Sequence, residues 1–331
     1  MRLLTFVFAR CGIVGAAYDI PSDAGTTGWT SRMSARCVRR RLLFAFGAWV
    51  LARGGLAQDA APLLALLGTS GRQADERHAS VLRAALESLG YSAPVLISSP
   101  ATPRAMRQAA RGFAGGLLFV DTSEAALAAR AMQARTPIIG VELRDAEARQ
   151  LTRRGIAGFT ASTPELALKR LDLLRDIAPV RRPVLLLARG QEPLARPVQD
   201  RMRILAVSKA STASALARLS AIGTDGLIVD ETVRRYSTYR AVAEHSLSAG
   251  IPSAGDVGYA EAGGLIGYAP DADDLYRRAA VLAQRMLNGA TDVLLGTPQS
   301  YRIVASLRAA RALSLDPSPL VSRGGRLAPL R

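Results

Sequence analysis

The chain has 331 residues, 49% hydrophobic and 21% charged, which is typical of a folded globular protein and exceeds the roughly 250 to 300 residues at which one hydrophobic core stops growing. Two domains are therefore expected. The net charge is +16, but the 43 basic residues include only two lysines, and the arginines are scattered among acidic residues without a basic stripe or reader motif, so we expect no nucleic-acid binding.

The N-terminal region has the organisation of a secretory signal peptide. Three arginines at 39–41 precede an apolar run of eleven residues at 42–52. The sequence Gly55-Leu56-Ala57, with small residues at its first and third positions, follows as the cleavage site. The run is too short for a permanent membrane anchor. We predict cleavage near Ala57 and translation from Met33, with a buried N-terminal helix as the alternative.

Cleavage there would change the chemistry of the mature chain. Cys11 and Cys37 are the only cysteines and would be lost, which excludes disulfides, thiolate catalysis and cysteine metal sites. Neither cysteine follows the apolar run, so we expect no lipid anchor and a periplasmic protein. Residues 1–57 hold eight Arg and two Asp, which leaves 35 basic and 25 acidic residues and a net charge of +10.

From residue 63 onward, strands are predicted to alternate with helices, an order typical of parallel sheets covered by helices on both faces. The first series comprises strands at 63–67, 95–98, 116–120, 137–143 and 156–159 and helices at 75–89, 102–111, 124–134 and 164–177. The sequence PVRRP at 179–183 then predicts a crossover to a second series.

The second series has the same character. It comprises strands at 184–188, 204–207, 226–230 and 251–254 and helices at 213–222 and 237–249. Between Arg189 and Arg203, the helix breakers Gly190, Pro193 and Pro197 predict that the connecting helix is short.

Residues 261–290 predict one more strand and helix. A glycine pair precedes a short apolar strand at 265–268, and Asp271 offers a helix N-cap ahead of apolar residues at helical spacing. Asn288 and Gly289 provide the stop. This unit by itself indicates no ligand.

The closest resemblance to a known family lies in three blocks: GIAGFTASTPELALKRLDLLRDIAP from Gly155, AGGLIGYAPDADDLYRRAA from Ala262 and PQSYRIVASLRAARALSLDP from Pro298. These blocks resemble the substrate-binding protein family of ABC transporters that includes the tryptophan- and tyrosine-binding lipoproteins. Weaker similarity begins at Leu63, so the match covers most of the chain after residue 60.

The resemblance implies an α/β protein with two Rossmann-like lobes, each built on a parallel sheet, in the periplasmic binding protein type I fold. The expected divisions are signal peptide 1–57, lobe 1 at 58–181, lobe 2 at 182–262, and a return segment 263–331 that completes lobe 1 and closes onto lobe 2. Pro183, Gly263 and Gly264 are the expected hinge residues.

Ligands of open parallel sheets gather at the carboxyl ends of strands, where helix N-termini present unpaired amides. The candidates chosen on this ground are Thr69, Ser70, Thr122, Ser123, Arg189, Asp230, Glu231, Thr232 and Asp256. The arginine is suited to a carboxylate and the acidic residues to an ammonium group, which together fit an amino-acid-like zwitterion.

Each candidate also has a structural explanation. The loop at 68–71 is equally consistent with a capped turn, Ser123 with a helix cap, and the charged residues with surface salt bridges. Tyr236, Tyr239 and Tyr259 are possible stacking surfaces in a chain with only 5% aromatic residues.

Catalysis has little support in the sequence. His78 and His245 lie in predicted helices without the spacing of a metal pair or of a nucleophile's base. The segment 68–72 lacks the spacing and the lysine of a P-loop, and no Gly-x-Ser-x-Gly elbow occurs. We expect no catalytic residues, no cofactor and no metal.

The hypothesis that follows is a monomeric extracytoplasmic solute-binding protein, which captures a small molecule by hinge closure and delivers it to an ABC permease. The alternative is a periplasmic ligand-sensing subunit for a receptor or histidine kinase. A periplasmic α/β enzyme is the third hypothesis.

Overall fold

A computed structural model describes residues 63–328 apart from 93, 101, 114–115, 134, 236–237 and 292–293. The signal peptide and the start at Met33 lie outside the described residues and remain predictions. Within the described part, no helix combines the length and the apolar character required to cross a bilayer.

Thirteen strands are described. They are β1 (Leu64–Leu67), β2 (Val95–Ser98), β3 (Leu117–Val120), β4 (Ile138–Arg144), β5 (Ile156–Ser162), β6 (Pro183–Ala188), β7 (Arg203–Val207), β8 (Gly226–Val229), β9 (Ser253–Gly255), β10 (Ile266–Pro270), β11 (Leu295–Gly296), β12 (Tyr301–Ser306) and β13 (Arg326–Ala328).

Eleven α-helices are described with them. They are α1 (Arg72–Ser88), α2 (Pro103–Gly112), α3 (Ser123–Met132), α4 (Ala148–Arg153), α5 (Pro164–Arg175), α6 (Thr212–Ala221), α7 (Tyr239–Ser248), α8 (Val257–Glu261), α9 (Ala272–Leu287), α10 (Leu307–Ala312) and α11 (Ser318–Ser322). The segment after β6 forms a 3-10 helix at Glu192–Val198, in agreement with the short helix predicted there.

The strands form two sheets, each the base of one lobe. The sheet of lobe 1 has the order β11-β5-β4-β3-β1-β2 and is parallel throughout, and the sheet of lobe 2 has the order β13-β12-β10-β9-β8-β6-β7. Only the β10–β12 pair is antiparallel among the strand pairs of the described residues. The predicted two-lobed α/β fold is confirmed.

Apolar strand sequences explain why helices cover both faces of each sheet. LALL in β1 and LLFV in β3 are buried along their whole length, as expected for parallel strands buried on both faces. Leu64 and Leu66 pack with α1 and α9 on one face of the first sheet, while Ala65 and Leu67 pack with α2 and α3 on the other. Burial of one such leucine contributes about 2 kcal/mol of transfer free energy.

Within the described residues, the chain crosses between the lobes three times. The crossings lie between β5 and α5, between β10 and α9, and between β11 and β12. The second and third are neighbours, because the Asp271 amide donates to the Ser300 carbonyl at 2.9 Å. Helix α5 packs on the second sheet, where Leu171 and Leu174 join the core that contains Ile228.

These crossings correct the predicted divisions. Lobe 1 does not extend to residue 181, since α5 already belongs to lobe 2, and the return to lobe 1 follows Pro270 rather than residue 262. The PVRRP segment is a turn within lobe 2, held by the Asp225 carboxylate, which accepts the amides of Arg181 and Arg182 at 3.0 and 2.6 Å.

The expected hinge residues therefore do not lie in the crossings. Pro183 begins β6, and Gly263 and Gly264 form the turn between α8 and β10, so all three belong to lobe 2. In the sequence, glycine and proline residues that end a strand or helix look like hinge residues. Helix α5, which follows the first crossing, starts with a Thr-Pro sequence like that of other helices, so its start does not indicate a crossing.

Candidate functional site

The carboxyl ends of strands from both sheets line one large cleft. Its volume is about 2090 Å³, and its walls include the loop after β1, the start of α3 and the end of β4 from lobe 1. From lobe 2 they include α5, the turn after β8, the starts of α7 and α8, and strand β12. The arrangement agrees with the rule that ligands of parallel sheets bind at this edge.

On the lobe 1 wall, Asp121 holds the loop after β1 in place. Its carboxylate accepts the Thr69 amide, the Thr69 hydroxyl at 2.9 Å and the Ser70 hydroxyl at 3.3 Å. Burial raises the pKa of Asp121 to about 6, although the hydrogen bonds from Thr69 oppose the shift. The two hydroxyls, both predicted ligand contacts, are thus already bound to a protein carboxylate.

Gly68 permits this loop to sit close to helix α1. A Cβ atom at Gly68 would clash with Cγ of Asp75, whose buried carboxylate has no hydrogen-bond partner among the described residues. Two carboxyl groups, Asp75 and Asp121, therefore lie behind the loop, and Asp75 contributes to the raised pKa of Asp121 by repulsion.

The start of α3 is capped by Thr122 rather than by Ser123. The Thr122 hydroxyl accepts the Ala125 amide at 3.3 Å. The buried Ser123 hydroxyl accepts the Arg144 amide at 2.8 Å and so ties the end of β4 to α3. The cap predicted for Ser123 is wrong by one residue, although both residues line the cleft.

Glu142 is the residue of the lobe 1 wall that the sequence reasoning missed. It lies near the end of β4, where the pairing with β5 shifts register between Gly140 and Leu143. Such irregularities turn side chains out of the regular pleat. Burial, followed by repulsion from Asp121 and Asp256, raises the pKa of Glu142 to about 8.

On the lobe 2 wall, Asp256 is bound on both oxygens. It caps α8 by accepting the Tyr259 amide at 2.8 Å, and it accepts the Tyr239 hydroxyl at 2.7 Å. The Tyr239 ring packs edge to face on Tyr259, with centroids 5.5 Å apart. Tyr239 lines the cleft as a possible stacking surface requires, whereas Tyr259 is fully buried, and Tyr236 lies outside the described residues.

Arg170 and Glu231 form an ion pair at the base of the same wall. Their side chains are 3.4 Å apart, and the Arg170 side chain is only 3% exposed. Arg170 also donates from Nε to the Tyr268 carbonyl at 3.0 Å. Arg170 lies within helix α5, away from the end of any strand, so the rule of strand ends does not predict it.

Two of the nine candidates lie away from the cleft lining. Asp230 accepts the Thr232 amide at 2.9 Å and so shapes the turn after β8, and burial raises its pKa to about 6. Thr232 in turn accepts the Ala188 amide at 3.1 Å. Arg189 is exposed, and its amide donates to the Val207 carbonyl at 2.7 Å. Arg189, which was predicted to bind a ligand carboxylate, is therefore not part of this wall.

The remaining seven candidates line the cleft: Thr69, Ser70, Thr122, Ser123, Glu231, Thr232 and Asp256. The rule of strand ends brings them together correctly, and whether they bind a ligand stays a prediction. His78 also lines the cleft and stacks on Tyr276, with ring centroids 4.6 Å apart. Among the described residues, no three His, Cys, Asp or Glu side chains are grouped to hold a metal ion.

Solved structures share this fold. The ABC domain in complex with L-Trp from Streptococcus pneumonia superposes with a TM-score of 0.69 at 16% identity, and covers 81% of this chain and 100% of its own. The ligand-free, open structure of a substrate binding protein with adhesive properties from Clostridium difficile gives 0.60 at 16% identity, with 77% and 95% covered.

The Lac repressor dimer bound to operator and an anti-inducer also matches, with a TM-score of 0.53, 13% identity, and 77% and 95% of the two chains covered. No protein-family model and no curated protein matches the sequence. At these identities the comparisons establish the type I periplasmic binding protein fold, which ABC-transporter binding proteins and a transcriptional regulator both use.

Proposed function

We propose that this chain is an extracytoplasmic solute-binding protein that closes its two lobes on a small molecule and delivers it to an ABC permease. The observation that carries the proposal is the cleft of about 2090 Å³, to which both lobes contribute polar side chains at strand ends. A ligand that touches both walls stabilises the conformation in which they are close.

The connections between the lobes suit this mechanism. Three short crossings, two of them bonded to each other through Asp271 and Ser300, join lobes that each have their own core. A rigid-body rotation about such crossings leaves both cores intact. The similarity to the L-Trp complex and to the Clostridium difficile substrate binding protein supports a binding role.

Ligand-induced closure tests the proposal. Small-angle X-ray scattering with and without a compound that raises the melting temperature should show a smaller radius of gyration in its presence. A ligand at 100 times its Kd adds about 2.7 kcal/mol of stability, which shifts the melting temperature by several degrees. If no amino acid, amine, sugar or carboxylate produces either change, the proposal is wrong.

A sensing role is the second candidate, and the match to the Lac repressor favours it because that protein uses the same fold to respond to small molecules. Transport and sensing differ in the protein that the closed, ligand-bound form binds. Ligand-dependent stimulation of a permease-bound ATPase indicates transport, and ligand-dependent binding to a receptor or kinase indicates sensing.

A further inference from the structure

The carboxylates of the cleft differ in whether they already have a partner. Asp256 is bound by Tyr239 and Tyr259, Glu231 by Arg170, and Glu124 by Arg144 at 2.9 Å. Glu142 makes no hydrogen bond or ion pair with any residue of the described chain. A partly buried carboxylate is costly to leave unpaired, so this position calls for a group from outside the protein.

The charges around Glu142 are mostly of its own sign. Asp121 from lobe 1 and Asp256 and Glu231 from lobe 2 all repel its negative charge, and Arg234 is the one cation that acts on it among its strongest neighbours. Arg234 lies 5.6 Å over the Tyr239 ring rather than in an ion pair with Glu142. An anionic group placed here would add to the repulsion, and a cationic group would relieve it.

Other arginines that line the cleft do not change this result. Four of them are held by carboxylates of their own lobe: Arg77 by Asp273, Arg144 by Glu124 and Glu147, Arg170 by Glu231, and Arg240 by Glu244. The remaining three, Arg302, Arg308 and Arg326, come from β12, α10 and β13, and none ranks among the groups that most influence Glu142.

We infer that the ligand of this cleft carries an organic cation with N–H donors, such as a protonated amine, and that Glu142 is its anchor on lobe 1. This inference rests on the proposed function. On closure the cation would lie between Glu142 and the paired carboxylates Asp256 and Glu231, so that it offsets repulsion across the cleft. Lobe closure is then coupled to the charge of the ligand.

Proton uptake and release distinguish this role from a structural one. At pH 7 a carboxyl group with a pKa of about 8 is mostly protonated, and a bound cation favours the ionised form. Binding should transfer the Glu142 proton to the buffer, approaching one proton per ligand at pH 7. A protonated Glu142 that merely donates to a neutral ligand would release none.

The test uses matched compounds and matched variants. L-tryptophan and indole-3-lactate differ only in that an ammonium group replaces a hydroxyl group, as do tyramine and tyrosol. Putrescine and 1,4-butanediol differ by the same exchange at both ends of the molecule. Thermal shift and calorimetry in two buffers of different ionisation enthalpy report affinity and proton release. At least one ammonium compound should bind, its hydroxyl counterpart should bind at least tenfold more weakly, and proton release should accompany binding.

Glu142→Gln should weaken that binding by about 10- to 100-fold and abolish proton release, because the amide keeps the size of the side chain but not its charge. Glu87→Gln, which changes an exposed glutamate of α1 outside the cleft lining, should leave both unchanged. If only uncharged or anionic compounds bind, or if Glu142→Gln binds the amine equally well, the inference is wrong while the proposed function stands. If no compound binds or closes the lobes, both are wrong.

Discussion

The two sides of the cleft differ in whether their buried polar groups have hydrogen-bond partners. On the lobe 2 wall, Asp256 and Arg170 each have partners within the protein. On the lobe 1 side, Nδ1 of His78 in the wall and, outside the cleft lining, the Asp75 carboxylate and the Tyr276 hydroxyl are buried without a hydrogen-bond partner in the described chain. Each such group costs about 1 to 3 kcal/mol of stability.

This difference indicates that the polar groups of the lobe 2 wall are already paired in the ligand-free protein. Paired groups on lobe 2 keep fixed positions, so the proposed ligand would contact them without reorganising them. The unpaired groups of lobe 1 lower the stability of the free protein, and a ligand or ordered water recovers part of that cost. Such a trade of stability for binding is common at functional sites.

The largest expected effect comes from breaking the ion pair of the lobe 2 wall. Arg170→Met removes a cation that is only 3% exposed and that forms an ion pair with Glu231. We expect the free energy of unfolding to fall by about 3 kcal/mol in urea titrations. A loss below about 1 kcal/mol would contradict the view that this wall is held by internal pairing.

An exposed ion pair of the same lobe provides the control. Arg240 and Glu244 are 3.3 Å apart, with side chains 77% and 61% exposed. Arg240→Ala should change the free energy of unfolding by no more than about 0.5 kcal/mol, because solvent screens such pairs.

Glu142→Gln should have the opposite sign, since it removes a costly charge from the lobe 1 wall. The pKa of Glu142 is raised from 4.5 to about 8 on folding, so the folded state binds its proton more tightly. The contribution of Glu142 to stability is therefore full below about pH 4.5 and is lost as the pH rises through 8.

Urea titrations of the ligand-free protein at pH 5 and pH 8.5 measure this effect. The variant should be more stable than the original protein by on the order of 2 kcal/mol at pH 8.5, with a much smaller difference at pH 5. Equal differences at the two pH values would show that Glu142 is not strained by burial and repulsion.

The smallest expected effects on stability come from two Tyr→Phe substitutions, one in each lobe. Tyr239→Phe on lobe 2 removes the hydroxyl that binds Asp256 and should cost about 1.5 kcal/mol. Tyr276→Phe on lobe 1 removes an unpaired buried hydroxyl and should be neutral or stabilise by up to about 1 kcal/mol. Thermal unfolding of both variants measures these changes. Equal losses of stability in the two variants would contradict the difference between the two lobes.

Local elements were largely predictable because their signals are local. Apolar runs bounded by glycine or polar residues identify β1 to β10 within a few residues, but not β11 to β13. The Asp271 cap predicted for α9 is confirmed by its bond to the Asp273 amide at 3.1 Å. The short helices α4 and α8 were missed, since five or six residues carry too little periodicity for recognition.

The site was predictable only where it follows strand ends. Thr69, Ser70 and Asp256 were found by this rule, whereas Glu142 and Arg170 were not. Glu142 is recognisable in the sequence, because a single acidic residue between buried Val141 and Leu143 interrupts the apolar run from Ile138 to Leu143. No feature of the sequence identifies Arg170, since an arginine in the middle of a helix is usually exposed to solvent.

By itself the sequence determined the alternation of strands and helices, the two-lobed fold class and the edge at which polar side chains collect, because these depend on hydrophobic pattern and on neighbours along the chain. Only the tertiary structure decided that α5 belongs to lobe 2, that Asp121 binds Thr69 from 52 residues away, and that Glu142 is left unpaired. The physical reason is that partners and electrostatic environment come from segments distant in sequence, whose meeting no local pattern encodes.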